Sequence, residues 1–250
     1  VTLAAVAAVT GVAAVARTAA GGKGIEPAAD RMLREMTDYL AGLKSFKVQA
    51  TSIDQVVLAS GQKIQLASES QVSVQRPNRL RSEQLGAGNG LGFFYDGKTM
   101  TLACRPQNSY ATEPAPPTID ATVDKMRKDF RIDAPGADLL YSKPYDILTE
   151  QVKGGRYIGR ETLEGVPVNH LAFEGEEVDW QIWIQVGNQP LPMRFVVTTK
   201  TMKGQPEFTV QLSHWEPMAK ITEATFQFPA VAGAKQVKAF PVGCNPGSAH

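Results

Sequence analysis

Nine residues from Val178 to Val186 alternate without interruption: Val178, Trp180, Ile182, Ile184 and Val186 fall on one side, Asp179, Gln181, Trp183 and Gln185 on the other. A period of two predicts a strand with one buried and one wet face, as in an antiparallel sheet covered on one side only. This run lies in the middle of Tyr157–Lys200, where three strand-like runs are separated by turn residues. Upstream, Lys44–Pro77 holds two long alternating runs flanking a Ser60-Gly61 turn. On the second of these, Ile64, Leu66, Ser68, Ser70, Val72 and Val74 share a face that is apolar at its ends and small and polar at its centre. Such a strand leaves space above it, which either stays hollow or is filled by a bulky neighbour. Arg76-Pro77-Asn78 breaks the ladder before a short strand, LRSEQL. Downstream, Lys203-Gly204 predicts a hairpin, and EFTVQLSHW alternates with Phe208, Val210, Leu212 and His214 inward. Phe226 and Phe228 mark a last edge segment.

Helical spacing appears in two places. Met32, Leu33, Met36, Tyr39, Leu40 and Leu43 recur at intervals of three and four, with Pro27 at a first helical turn and Gly42 near the stop. The segment TIDATVDKMRKDF is a second helix capped by Thr118, followed by short helical segments at Pro135–Tyr141 and from Pro144. The order is helix, strand block, helices, strand block. It predicts an α+β domain with helices gathered on one face of an antiparallel sheet.

One motif misleads. Gly92-Phe93-Phe94-Tyr95-Asp96-Gly97-Lys98-Thr99 matches the phosphate-loop pattern G-x-x-x-x-G-K-[ST]. A phosphate cradle needs small residues whose amides curl round the anion and a helix behind them. Here the intervening residues are bulky and KTMTLAC alternates like a strand. The pattern is that of a hairpin with Asp96-Gly97 as a two-residue turn, pairing Tyr95 with Lys98, Phe93 with Met100 and Leu91 with Leu102. Nucleotide binding is excluded on this ground.

At 250 residues and 43% hydrophobic, the chain can build one full core. With 26 basic and 25 acidic residues it has no long-range field for nucleic acid, which is not expected as a partner. Residues 1–20, VTLAAVAAVTGVAAVARTAA, have the character of an export signal that is cleaved, with a retained membrane anchor as the alternative. Residues 21–27 form a linker, 28–230 a single domain and 231–250 a Gly/Pro-rich tail. The two cysteines, Cys104 and Cys244, invite one disulfide in an exported protein, against two unpaired thiols. The three histidines, His170, His214 and His250, lack metal-ligand spacing, and no metal or other cofactor is expected. Neither cysteine carries a nucleophile signature, no G-x-S-x-G elbow occurs, and no catalytic residue can be named. The acidic cluster Glu174, Glu176, Glu177 and Asp179 fits a solvated turn.

The runs YDGKTMTLACRPQNSYATEPAPPTIDATVDKM, APGADLL and YIGRETLEGVPVNHLAFEGEEVDWQIWIQVGNQPLPMRF resemble a family of predicted periplasmic proteins within the LolA-like (lipoprotein localisation factor) superfamily. The resemblance spans roughly Ala28 to Phe228. It implies a strongly curved antiparallel half-barrel, helices on its concave face, and between them a cavity for acyl chains. It further implies a place in the periplasm of a Gram-negative bacterium. No arginine here matches the lid arginine of the lipoprotein carrier. The function expected is a non-catalytic carrier or sensor of a lipid or lipoprotein acyl chain, walled by Trp180, Ile182, Ile184, Phe195, Val197, Phe208, Val210, Met126 and Phe130. The alternative is an interaction module that docks a protein in envelope assembly or signalling.

Overall fold

The computed structural model describes residues 24–85, 90–132, 134, 136–229, 232–238 and 240. The chain opens with helix α1 (Pro27–Gly42), then runs through β1 (Ser45–Val57), β2 (Lys63–Gln75), β3 (Arg79–Leu85), β4 (Leu91–Tyr95), β5 (Thr99–Cys104) and β6 (Ser109–Pro114). Helix α2 (Ile119–Phe130), a 3-10 turn (Ala137–Leu140) and α3 (Pro144–Thr149) follow. A second meander comprises β7 (Val152–Leu163), β8 (Val166–Gly175), β9 (Val178–Gln185), β10 (Pro192–Thr199) and β11 (Glu207–Pro217), and a two-residue β12 (Lys235–Gln236) ends it.

These strands make one sheet, ordered β12-β6-β5-β4-β3-β2-β1-β11-β10-β9-β8-β7, antiparallel except for the parallel β12–β6 pair. Each meander folds on local hairpins; the two are zipped by the long β1–β11 ladder. That topology puts β6 and β7 far apart, with β12 alone beyond β6. Residues 115–151, which join β6 to β7, must therefore cross the width of the sheet, and they do so as α2, the 3-10 turn and α3. The sheet is curved and unclosed, an α+β half-barrel with helices on its concave face.

The expected helices form. Thr118 caps α2 by accepting from the Ala121 amide (3.2 Å). Leu33, Met36 and Leu40 of α1 are fully buried in one core with Phe173, Trp180, Ile182, Ile184 and Phe195. The alternation predicted for β2 and β9 holds in parity, with exceptions in burial: Leu66 on the inward set is exposed, and Ser73 and Trp183 on the outward sets are buried.

Three local expectations are corrected. The β4–β5 hairpin pairs Tyr95 with Met100, Phe93 with Leu102 and Leu91 with Cys104, two residues from the predicted register. The Asp96 carboxylate accepts from the amides of Lys98 and Thr99 (both 2.8 Å), so Gly97 and Lys98 become the central turn residues. Gly97 then sits at the first centre with φ +96°, the position a type II′ turn reserves for glycine. A shift of two keeps every side chain on its face, so the apolar face survives. In β11, two residues, His214 and Trp215, stand against Val48 alone, because Ser213 pairs with Gln49 and Glu216 with Lys47. His214 takes φ +50° and points to solvent, and Trp215 turns inward in its place. Finally, Phe226 closes a 3-10 turn (Glu223–Phe226) and not an edge strand; it is wholly buried, while Phe228 packs on Phe94 and Tyr110 (centroids 5.3 and 4.8 Å).

The expected signal, residues 1–20, and Cys244 lie outside the described residues. Part of the segment expected to be a tail is built in: β12 pairs with β6, and Phe240 is buried against Phe130 (4.3 Å between centroids).

Candidate apolar binding cavity

The concave side divides into two halves. Beneath α1 and α3, large side chains close the space: Phe173 stacks on Trp180 at 4.0 Å and Trp180 meets Phe195 at 5.7 Å. Beneath α2 and the segment after it, small residues leave a hollow of about 280 Å3. Its floor is Phe46, Val48 and Ala50 of β1, Ser70 and Val72 of β2, Leu80, Ser82 and Gln84 of β3, Leu91 and Phe93 of β4, and Leu102 of β5. Val210, Leu212 and Trp215 of β11 form one side. The roof is Leu40, Thr122, Val123, Met126, Ile132, Ala134, Gly136, Ala137, Leu139 and Leu140.

The hollow follows from the sequence pattern of two paired strands. Ala50 faces Ser70 and Ser52 faces Ser68 across the β1–β2 ladder, and the Ser52 and Ser68 hydroxyls bond each other (2.8 Å). Of these, Ala50 and Ser70 lie in the floor of the hollow, and Gly136 and Ala137 add small residues to its roof.

Of the residues expected to wall a cavity, Val210 and Met126 line this one. Trp180, Ile182, Ile184 and Phe195 lie in the packed core under α1, with Val197 and Phe208 at its margin, and Phe130 joins Phe240 in a neighbouring cluster. The lining that periodicity missed is on β1, β3, β4 and Trp215. Ala50 could have been found by pairing β1 with β2, which sets it opposite Ser70; Trp215 could not, because the bulge reverses the parity of its strand.

The roof is pinned by polar bonds. Arg127 of α2 donates to Asp138 (2.9 Å) and to the Tyr141 hydroxyl (3.2 Å), and that hydroxyl donates to Asp124 (2.7 Å). Burial, then donation to the Asp124 carboxylate, pushes the Tyr141 phenol far above the usual tyrosine range. A second staple joins α1 to α3: Arg34 donates to Asp30 (2.9 Å) and to Tyr145 (2.7 Å), and Tyr145 bonds Asp30 as well. The Arg34 and Tyr145 donors hold the Asp30 carboxyl below its ordinary value.

The outer face carries its own cluster. His170 stacks on Trp183 (4.0 Å), and Glu161 accepts from Trp183 Nε1 (2.9 Å) and bonds His170 Nδ1 (2.7 Å). The acidic turn is ion-paired, with Glu176 on Lys153 and Asp179 on Lys200, both 2.9 Å. Among the described residues, no group of three or more His, Cys, Asp or Glu could hold a metal, and no helix is long and apolar enough to cross a membrane. A second hollow of about 270 Å3 lies between Glu83, Cys104, Arg105 and Phe228.

Residues 29–239 match the profile of a family described as predicted periplasmic protein (DUF2092). No curated protein matches the sequence. Among solved structures, an uncharacterised conserved protein from Thermus thermophilus is 16% identical, with 84% of this chain and 99% of that one covered and a TM-score of 0.50. The Mycobacterium tuberculosis lipoprotein LppX is 13% identical over 76% of this chain and 96% of its own, TM-score 0.49. A LolA superfamily protein from Nitrosomonas europaea is 9% identical over 80% and 97%, TM-score 0.44. These likenesses concern the fold.

Proposed function

The chain belongs to the DUF2092 family of predicted periplasmic proteins, and we propose that it is a non-catalytic carrier or sensor of a lipid or lipoprotein acyl chain. The observation that carries this reading is the hollow of about 280 Å3, lined by apolar side chains and a few hydroxyls. Each methylene taken from water contributes about 0.8 kcal/mol, so apolar walls alone can hold an acyl segment.

The same proposal covers the chain's organisation: residues 1–20 as a cleaved export signal followed by a linker, one domain that extends beyond the expected 28–230 to take in Pro27, β12 and Phe240, and Cys104 bonded to Cys244. Mass spectrometry of the intact and reduced periplasmic protein tests the cleavage and the bond together. The carrier reading is tested by native mass spectrometry and lipid extraction of protein purified from its own periplasm. Co-purifying lipid, or binding of a fluorescent fatty acid, is expected; protein that carries none and binds none is no carrier.

A second reading, docking to an envelope protein, is favoured by the end of the β1–β2 hairpin. There Val56, Leu58 and Leu66 are 37%, 39% and 54% exposed. Site-specific crosslinking from Leu66 in periplasm should yield one discrete adduct; a smear or none would remove it.

A further inference from the structure

The β1–β2 ladder extends one rung past β2: the Arg76 amide donates to the Lys44 carbonyl (2.8 Å). Strand alternation therefore places the Arg76 side chain on the concave face, in line with Val72 and Val74. There Nη1 donates to the backbone carbonyl of Leu140 (2.6 Å), one of the residues that line the hollow, which puts Arg76 behind that lining and not in it. Its other two nitrogens, Nε and Nη2, are buried and have no partner among the described residues.

Asp120, the carboxylate whose charge acts on this guanidinium, takes three hydrogen bonds from Ser142 (2.6–3.1 Å from its amide and hydroxyl). Burial weakens the guanidinium's hold on its proton, and Asp120 only partly opposes that. A buried cation with two idle donors is costly, and a planar fork of this kind suits the two oxygens of a carboxylate or phosphate.

We propose that Arg76 is an anion-binding residue at the edge of the hollow, receiving the carboxylate or phosphate of an amphiphile whose apolar tail occupies the hollow. The inference rests on the carrier reading and narrows it: the cargo is an acidic amphiphile, held by tail and head at once. Neutral lipids of the same tail are then discriminated against by the unmet donors they leave behind.

Isothermal titration of the full mature protein with decanoate and with decanol, at low salt, isolates the head from the tail. Decanoate should bind at least about tenfold tighter than decanol, as an ionic hydrogen-bonded pair supplies. In Arg76→Gln the ratio should fall to about twofold or less, with decanol affinity kept; Arg76→Lys should retain part of it. Should Arg76→Gln fail to fold, Arg76→Lys and the loss of decanoate preference in about 0.5 M salt carry the test. Equal affinity of the native protein for the two probes, or an undiminished ratio in Arg76→Gln, overturns the anion site and leaves the carrier reading standing. Acetate stabilising the protein through Arg76 as well as decanoate does would assign the site to free anions and overturn the amphiphile. Binding of neither probe would remove the carrier reading and this inference with it.

Discussion

Trp183 points to the outer face of the sheet, yet it is only 8% exposed, because His170 stacks on it and Glu161 takes its indole N–H. The Trp183 donor first, and the His170 bond after it, hold the Glu161 carboxyl below its ordinary range. A carboxylate with a depressed value stabilises the fold above the ordinary glutamate range and loses that contribution as pH falls through the depressed value. Glu161→Gln should therefore cost about 1 kcal/mol at neutral pH, after allowance for its exposure, and make the acid limb shallower. Melting temperatures taken from pH 6 down to 3 check it; parallel curves for the two proteins would mean the carboxylate contributes nothing. The inner face gives a complementary pair. Trp180 lies in packed core and Trp215 lines the hollow, its indole donating to the Pro192 carbonyl (3.1 Å). Trp180→Ala should cost about 3–5 kcal/mol. Trp215→Ala should cost less and weaken fatty-acid binding more, and denaturant unfolding beside fluorescence titration separates the two effects.

Among the elements, β2 carries the most information about the hollow, since its small centre meets the small centre of β1. Ser70→Leu adds an apolar side chain where space already exists, so it should abolish fatty-acid binding while leaving the melting temperature level or raised. A Ser70→Leu protein that binds as before would place the ligand elsewhere. Element type, order and face were legible in the sequence because they rest on local period: β2, β9, α1 and the Thr118-capped α2 all follow the pattern that predicts them. Position along the concave face was not. Trp180, Ile182 and Ile184 read as wall because they are large and apolar, but which half of a sheet stays hollow depends on what crosses above it. That is decided by the β6-to-β7 connection, a contact between segments far apart in sequence. The Trp215 bulge and the β4–β5 register failed for a local reason: each depends on one extra residue, or on a carboxylate capturing turn amides, and period alone records neither.

At the scale of the whole molecule, two meanders meet at β1–β11 and leave outer edges of different kinds. The β7 edge is bulged at two places, and the Glu26 amide donates to the Gly155 carbonyl (2.9 Å), so the start of the fold guards it. The opposite edge is guarded by the end of the fold: Lys235 and Val237 donate to the carbonyls of Asn108 and Tyr110 (both 2.8 Å). Beyond it, Phe240 joins a cluster with Met100, Leu102, Ala111 and Met126, of which Leu102 and Met126 also line the hollow. One aromatic side chain thus anchors the edge guard and backs the cavity wall. Phe240→Ala should cost about 3 kcal/mol, toward the lower end for a buried phenylalanine because the guarding strand is short. The loss should be local: amide exchange should quicken in β5, β6 and α2, while β8–β10, on the far meander, keep their protection. Exchange that quickens equally across both meanders would mean that the sheet opens as one unit and that Phe240 acts on global stability alone. Unchanged exchange at β6 would mean that the edge is held without it.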